Sequence, residues 1–155
     1  MNPIRYLGIV KAVAELSKDQ STKVGAVILG PGREIRSTGR NGFPRGVNDL
    51  VPERHERPLK YEWSCHAEEN AITQAARSGV SCDGCTMLVY GLQICPACAR
   101  MCIQAGIRSI YMYCGPVPER WKKPAEIALQ MLREAGVYFS IDLIAIEEGD
   151  VNHSE

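Results

Sequence analysis

Neither sign of charge prevails in this chain: Lys plus Arg and Asp plus Glu each number 18, so the formal net charge is zero. A basic surplus normally accompanies a grip on a nucleic-acid backbone, because phosphate neutralisation supplies most of that affinity. Its absence argues against DNA or RNA as a partner and for a small substrate. Long apolar runs are missing too. No stretch approaches the roughly 20 apolar residues that span a bilayer, so no membrane role is expected. Residues 1–11 contain no apolar core followed by a small-residue cleavage site, so no export signal is expected and the cytoplasm is the expected compartment. Internal repeats, low-complexity tracts and signs of a second domain are likewise lacking. With 155 residues, 45% of them hydrophobic, the chain suits one domain over residues 1–146 and a polar tail over 147–155.

Proline, glycine and apolar periodicity divide the chain. Residues 4–17 place Leu7, Val10, Val13, Ala14 and Leu16 at mostly helical spacings. Residues 24–29 (Val-Gly-Ala-Val-Ile-Leu) form a short apolar run stopped by Gly30-Pro31-Gly32, which predicts a buried strand with a hairpin partner over 34–38. A polar stretch rich in Pro, Gly and Arg fills 39–62, and a connection that long inside a small domain is usually functional or mobile. Beyond it the pattern alternates: helix 67–77, strand 86–90, helix 96–105 closed by Gly106, strand 107–113, helix 124–135 closed by Gly136, strand 137–146. That alternation predicts right-handed crossovers and a largely parallel run of strands in an α/β domain.

What the chain does have is cysteine. Seven are present, four of them between Cys85 and Cys102. An odd number without an export signal points to reduced thiols and metal ligation, not to a disulfide framework. Two segments stand out, Cys65-His66-Ala67-Glu68-Glu69-Asn70 and Cys95-Pro96-Ala97-Cys98, and each opens a predicted helix. Helix N-termini present unpaired N–H groups and partial positive charge, which favour thiolates. His66, Cys95 and Cys98 supply one imidazole and two thiolates, a three-ligand set that leaves the fourth zinc position open, as catalytic sites do. Glu68, two residues past His66, points into the same space without ligating; it is placed to take a proton from water and give it to a leaving amine. Either segment alone is weak. His-x-Glu is more often a surface helix start, and Cys-x-x-Cys also describes two buried thiols. Both together, each opening a helix, match the zinc-deaminase signature.

Four blocks then carry a resemblance: Ser17-Lys18-Asp19-Gln20-Ser21-Thr22-Lys23-Val24-Gly25-Ala26, Asn41-Gly42-Phe43-Pro44-Arg45-Gly46, Cys65-His66-Ala67-Glu68-Glu69-Asn70-Ala71-Ile72, and Cys95-Pro96-Ala97-Cys98-Ala99-Arg100 with Ile103-Gln104-Ala105-Gly106-Ile107. Over most of its length the chain resembles the deoxycytidylate (dCMP) deaminase branch of the cytidine deaminase superfamily. The resemblance implies a three-layer cytidine-deaminase-like fold with a mixed five-stranded sheet flanked by helices. It implies hydrolysis of dCMP to dUMP, Zn2+ on His66, Cys95 and Cys98, Glu68 as proton shuttle and a homohexamer. It also implies Ala26, Asn41, Ala67 and Tyr113 as substrate contacts, and dCTP and dTTP as effectors. The chain departs from the family in having Ile94, not proline, before the first ligand cysteine. It also has Tyr113-Cys114-Gly115-Pro116-Val117-Pro118-Glu119-Arg120-Trp121 where many relatives carry Ser-Asp and a polar cluster, so base and sugar identity stay open.

Other features carry paired readings. Cys82-Asp83-Gly84-Cys85 is a second Cys-x-x-Cys with no obvious further pair, and ordinary thiols are favoured over a second metal site. Cys102 is expected in the core, and Cys65 is expected to pack. The run 53–57 is most simply a solvated loop; alternatively Arg54 and Arg57, with Arg45, contact a phosphate or an effector. Tyr61 and Trp63 either stack on a base or pack at the lead-in to the helix. The expected function is zinc-dependent hydrolytic deamination of a free nucleotide, dCMP first. The alternatives are another amino-bearing base, nucleoside or nucleotide, purines included, or a non-catalytic zinc protein that binds nucleotides.

Overall fold

Small residues set the spacing of the first layers. A computed structural model describes residues 1–145. After a 3-10 turn over Pro3–Tyr6, helix α1 (Leu7–Glu15) buries Val10 and Ala14. It meets strand β1 (Gly25–Leu29) at Gly25, where an added Cβ would stand 2.6 Å from Val10 O and Ala14 N. Only glycine lets the backbones approach that closely. β1 is buried throughout, as the apolar run predicts, and pairs antiparallel with β2 (Ile35–Arg40) and with β3 (Thr86–Gly91). β3, β4 (Ser109–Cys114) and β5 (Tyr138–Leu143) are parallel, giving the mixed order β2-β1-β3-β4-β5.

Strand periodicity divides the core. Ala26, Ile28, Met87, Val89, Ile110 and Met112 belong to the cluster that also holds Ala71 of α3 (Ala67–Arg77), Ala99 of α4 (Pro96–Gln104) and Leu132 of α5 (Glu119–Glu134). Val27, Leu29, Leu88, Tyr90 and Tyr113 pack with α1 on the other side. The three-layer α/β fold is therefore as expected, with a mixed five-stranded sheet flanked by helices. Emptying a core position such as Leu132 by alanine would cost about 2–5 kcal/mol.

α3, α4 and α5 end alike. Gly79, Gly106 and Gly136 take positive φ just past each helix, and each donates to the carbonyl three residues back (Ala76, Ile103, Arg133). Val80, Ile107 and Val137 then donate to Ala75, Cys102 and Leu132. This is the Schellman closure, in which glycine accepts the left-handed conformation and the next apolar residue returns to the core.

Several boundaries differ from expectation. α1 stops at Glu15, and the hairpin partner extends to Arg40. The polar stretch contains a 3-10 turn, Pro52–His55, and a four-residue helix α2, Lys60–Trp63. α5 begins at Glu119, not at Pro124, so Pro124 lies inside the helix and leaves one carbonyl of the preceding turn without its usual N–H. That early start brings Arg120 and Trp121 onto the helix. The end of the last expected strand, at Ile146, and the tail over 147–155 lie outside the described residues.

Candidate zinc centre and active site

Two helix starts converge. His66 is the extended N-cap residue of α3; its N–H donates to the Glu69 carboxylate at 3.2 Å, closing a capping box. Cys65 before it exchanges backbone hydrogen bonds with Gly42, which ties this start to the loop beyond β2. Cys95 is the extended N-cap residue of α4, with Pro96 in the first turn, and its Sγ accepts from the Cys98 N–H at 3.4 Å. Proline at that place needs no N–H partner and its φ is already helical.

His66 Nδ1 thereby lies 3.3 Å from Cys95 Sγ and 3.4 Å from Cys98 Sγ. With zinc–sulfur bonds of about 2.3 Å and a zinc–nitrogen bond of about 2.0–2.1 Å, tetrahedral geometry sets sulfur and nitrogen about 3.5 Å apart. The residues fit zinc in both spacing and donor chemistry. Among the described residues this trio is the only cluster of His, Cys, Asp and Glu that gathers as a metal site, with all ligand atoms within 4.8 Å of one another. Hydrogen bonding from Cys98, then His66, holds Cys95 far below the usual thiol range, while sharing that bond pushes Cys98 up. The Cys95 bond raises His66 to about 9. Metal binding at such sites displaces protons from the ligands.

Glu68 sits in the first turn of α3 and is 4% exposed. Burial pushes its carboxyl up to about 7, against the lowering influence of His66. A carboxyl that exchanges a proton near neutrality suits general acid–base work.

His66, Glu68 and Cys95 line a cavity of about 190 Å³ together with Ala67, Val24 and Asn41. Asn41 is clamped: its Oδ1 accepts from Val24 N at 2.9 Å and its Nδ2 donates to Thr22 O at 2.8 Å. Ala26 and Tyr113 stand elsewhere. Ala26 is fully buried in the helix-side core, and Tyr113 packs with α1 on the opposite face of the sheet; neither lines the cavity.

The three arginines separate. Only Arg57 lines the zinc cavity. Arg54 lies over the Trp63 ring, 3.9 Å from its centroid, and donates to Asn48 O at 2.8 Å. Arg45 hydrogen-bonds Gln74 and faces a second, polar cavity of about 900 Å³. Tyr61 is on the zinc-cavity rim, edge-on to Trp121 at 5.8 Å, whereas Trp63 is engaged by Arg54.

Two groups of residues were missed from sequence. Arg120 and Trp121 line the zinc cavity; the segment from Tyr113 to Trp121 was marked as bearing on base and sugar identity, but neither residue was singled out, and the missing signal was a helix starting at Glu119 just after the prolines. Asp19 and Lys60 line both cavities as a largely buried ion pair at 3.2 Å, and Asp19 also accepts from Ser21 and Thr22 N–H. No local pattern links residues so far apart. Cys82 and Cys85 are buried thiols, with Cys85 Sγ 3.6 Å from Arg36 Nη1. Cys102 is in the core, as expected, and Cys65 is half-buried.

A His, Cys, Cys trio spaced for a metal ion, with a buried carboxyl beside it, has the make-up of a catalytic zinc site. The zinc-binding region of cytidine and deoxycytidylate deaminases matches residues 2–114. A deaminase of Aliivibrio fischeri, described as an uncharacterized deaminase in the luxG 3' region, is 40% identical and covers 86% of this chain and 88% of its own. The deoxycytidylate deaminase of Mus musculus is 37% identical over 70% of this chain, which spans 62% of that protein's length. The cyanophage S-TIM5 dCMP deaminase, solved with dCMP and dUMP, has a TM-score of 0.71 at 24% identity, covering 92% of this chain and 99% of that one; the likeness is one of fold. The chain belongs to the cytidine and deoxycytidylate deaminase family, and as such is a zinc-dependent hydrolytic deaminase.

Proposed function

We propose that the protein converts dCMP to dUMP with release of ammonia. One observation carries the chemistry: a carboxyl, Glu68, buried inside the cavity that His66 and Cys95 line. Relatives from mouse and phage T4 named deoxycytidylate deaminase support the substrate, the phage protein at 34% identity over 88% of each chain.

Zinc, when bound, supplies a Lewis acid that makes water nucleophilic at neutral pH. His66, Cys95 and Cys98 hold it. Glu68 takes a proton from the attacking water as oxygen adds to C4 of the cytosine, and returns it to ring N3. It then carries the second proton to the departing amino group, so that water and dCMP give dUMP and ammonia. The clamped Asn41 offers its remaining amide hydrogen to the sugar, and Ala67 packs beside the base. Burial of Glu68 excludes bulk water from the transfer.

The same reading has finer parts. Effectors of the dCTP and dTTP type would occupy the larger cavity, whose lining includes Arg40, Arg45 and Arg77. A homohexamer, on the strength of the resemblance, and a cytoplasmic location, from the sequence reading of the first residues and the cysteines, complete it. No helix among the described residues is long and apolar enough to cross a membrane. The test is ammonia release by zinc-loaded protein across cytosine, adenine and guanine bases, nucleosides and nucleotides. dCMP is expected to be the most efficient substrate; a purine nucleotide leading the series would replace it.

A further inference from the structure

We propose that Asp19 is a positioning residue for the deamination: it organises the segment over 17–24 and, through that segment, holds Asn41 at a set place relative to the zinc trio. The proposal rests on the reading of Asn41 as a substrate contact and names what makes that contact precise.

An amide neither gives nor takes a proton in the reaction, so the worth of Asn41 lies in where it stands. On one side it is bound to the segment over 17–24. Beyond the two side-chain bonds to Val24 and Thr22, its N–H donates to Val24 O at 3.2 Å and its carbonyl accepts from Ser17 Oγ at 2.9 Å. On the other side it adjoins the helix start that bears the metal ligand. Gly42 and Cys65 exchange hydrogen bonds of 3.1 and 2.8 Å, one residue beyond Asn41 and one residue before His66. The segment over 17–24, between α1 and β1, is in turn gathered on Asp19. Its carboxylate accepts from Ser21 N–H at 2.9 Å, Ser21 Oγ at 2.9 Å and Thr22 N–H at 3.0 Å, and its own N–H donates to Ser17 Oγ at 3.2 Å. Ser17 Oγ therefore links Asp19 directly to Asn41. The second carboxylate oxygen is 3.2 Å from Lys60 Nζ; Lys60 is 8% exposed, and its carbonyl accepts from Ser64 N–H, next to Cys65. One carboxylate thus ties both sides of Asn41 together. Asp19 borders the zinc cavity, but both its oxygens are engaged, so it acts through Asn41 and not on the substrate. A shift of about 1 Å at a positioning group can cost on the order of 10²-fold in rate.

The test is a double-mutant cycle on kcat/KM with zinc-loaded protein. Asp19→Ala is expected to lower kcat/KM for dCMP about tenfold or more, the equivalent of about 1.4 kcal/mol. Asn41→Ala should lower it at least as much, and adding Asp19→Ala to Asn41→Ala should cost no more than about twofold further. Asp19→Asn keeps an oxygen for the Ser21 and Thr22 N–H groups, so it should recover part of the rate although it loses the ion pair and stability with it. Ser17→Ala unlinks Asp19 from Asn41 by a smaller change and should lower kcat/KM severalfold; should Asp19→Ala not fold, Ser17→Ala carries the same cycle. Leu132→Ala, in the core and away from both cavities, is the control: it costs stability and should leave kcat/KM alone. Zinc content should stay at one per chain in every variant. Losses that multiply in the double variant overturn the proposal, and so does a fall in Leu132→Ala equal to that in Asp19→Ala, since either marks a structural role. Wild-type rates in Asn41→Ala would sink the contact and the proposal with it. A crippled Asn41→Ala beside unaffected Asp19→Ala and Ser17→Ala would keep the contact and sink the proposal alone. The cycle is read on dCMP or, where another nucleotide releases ammonia faster, on that nucleotide, so failure of the dCMP reading leaves the test standing.

Discussion

Cys95-Pro96-Ala97-Cys98 and Cys82-Asp83-Gly84-Cys85 have the same spacing in the same chain, thirteen residues apart, and the fold treats them differently. The first opens α4, its leading sulfur accepts a backbone N–H, and an imidazole from another helix start lies within 3.4 Å of both sulfurs. The second closes a turn before β3, where Cys85 N donates to Cys82 O, burial raises both thiols and the near cation is Arg36. Two thiols at one spacing become a metal site only where a helix N-terminus favours thiolate and a third ligand arrives from elsewhere. In the first pair the sequence neighbour matters less than the spatial one.

The comparison can be broken most sharply by alanine. Cys98→Ala should lose zinc and, with it, essentially all deamination, whereas Cys85→Ala should keep one zinc per chain; elemental analysis with ammonia release reads both. Next in size is Glu68→Gln, which should keep zinc and fold but cut kcat by about 10²–10⁴-fold. Equal kcat in that variant would remove the carboxyl from the mechanism.

The same rule, environment before residue type, governs Asp19. Burial alone would raise its carboxyl, but N–H donation from Thr22 and Ser21 and the charge of Lys60 outweigh it and hold it below the ordinary 3.8. A depressed folded value means the stabilisation is complete above that pH and drains away as pH falls through the depressed value. Asp19→Asn should therefore cost about 1–3 kcal/mol at pH 7, with the gap to wild type closing in acid, as measured by urea unfolding. The smallest effect belongs to Cys82→Ser: zinc stoichiometry stays at one and stability changes by on the order of 1 kcal/mol. Two zinc ions per wild-type chain, falling to one in Cys82→Ser, would erase the contrast between the pairs.

The layers and the chemistry were legible because they are written locally. Apolar periodicity located α1 and all five strands, glycines marked the ends of α4 and α5, and His-x-Glu with Cys-x-x-Cys named the metal trio and the acid beside it. The surroundings of the site were less legible. Pro124 reads as a helix start, and the true start at Glu119 was hidden because Pro118, the cap residue, has no side-chain cap hydrogen bond to mark it; the individual parts of Arg120 and Trp121 were hidden with it. Arg45, Arg54 and Arg57 look alike in sequence, and only the path of the loop separates the one on the zinc cavity from the two with other commitments. Tyr113 shows the limit of alternation on a strand: one residue of register decides which face it takes, and it faces α1.

The central claim is that zinc on His66, Cys95 and Cys98 powers hydrolysis of the amino group of a free nucleotide. Its most direct test is deamination of dCMP by protein stripped with a chelator and then reloaded. The account predicts one zinc per chain before stripping, no ammonia or dUMP from the stripped protein, and recovery when one equivalent of zinc is restored. Full turnover by zinc-free protein would contradict it.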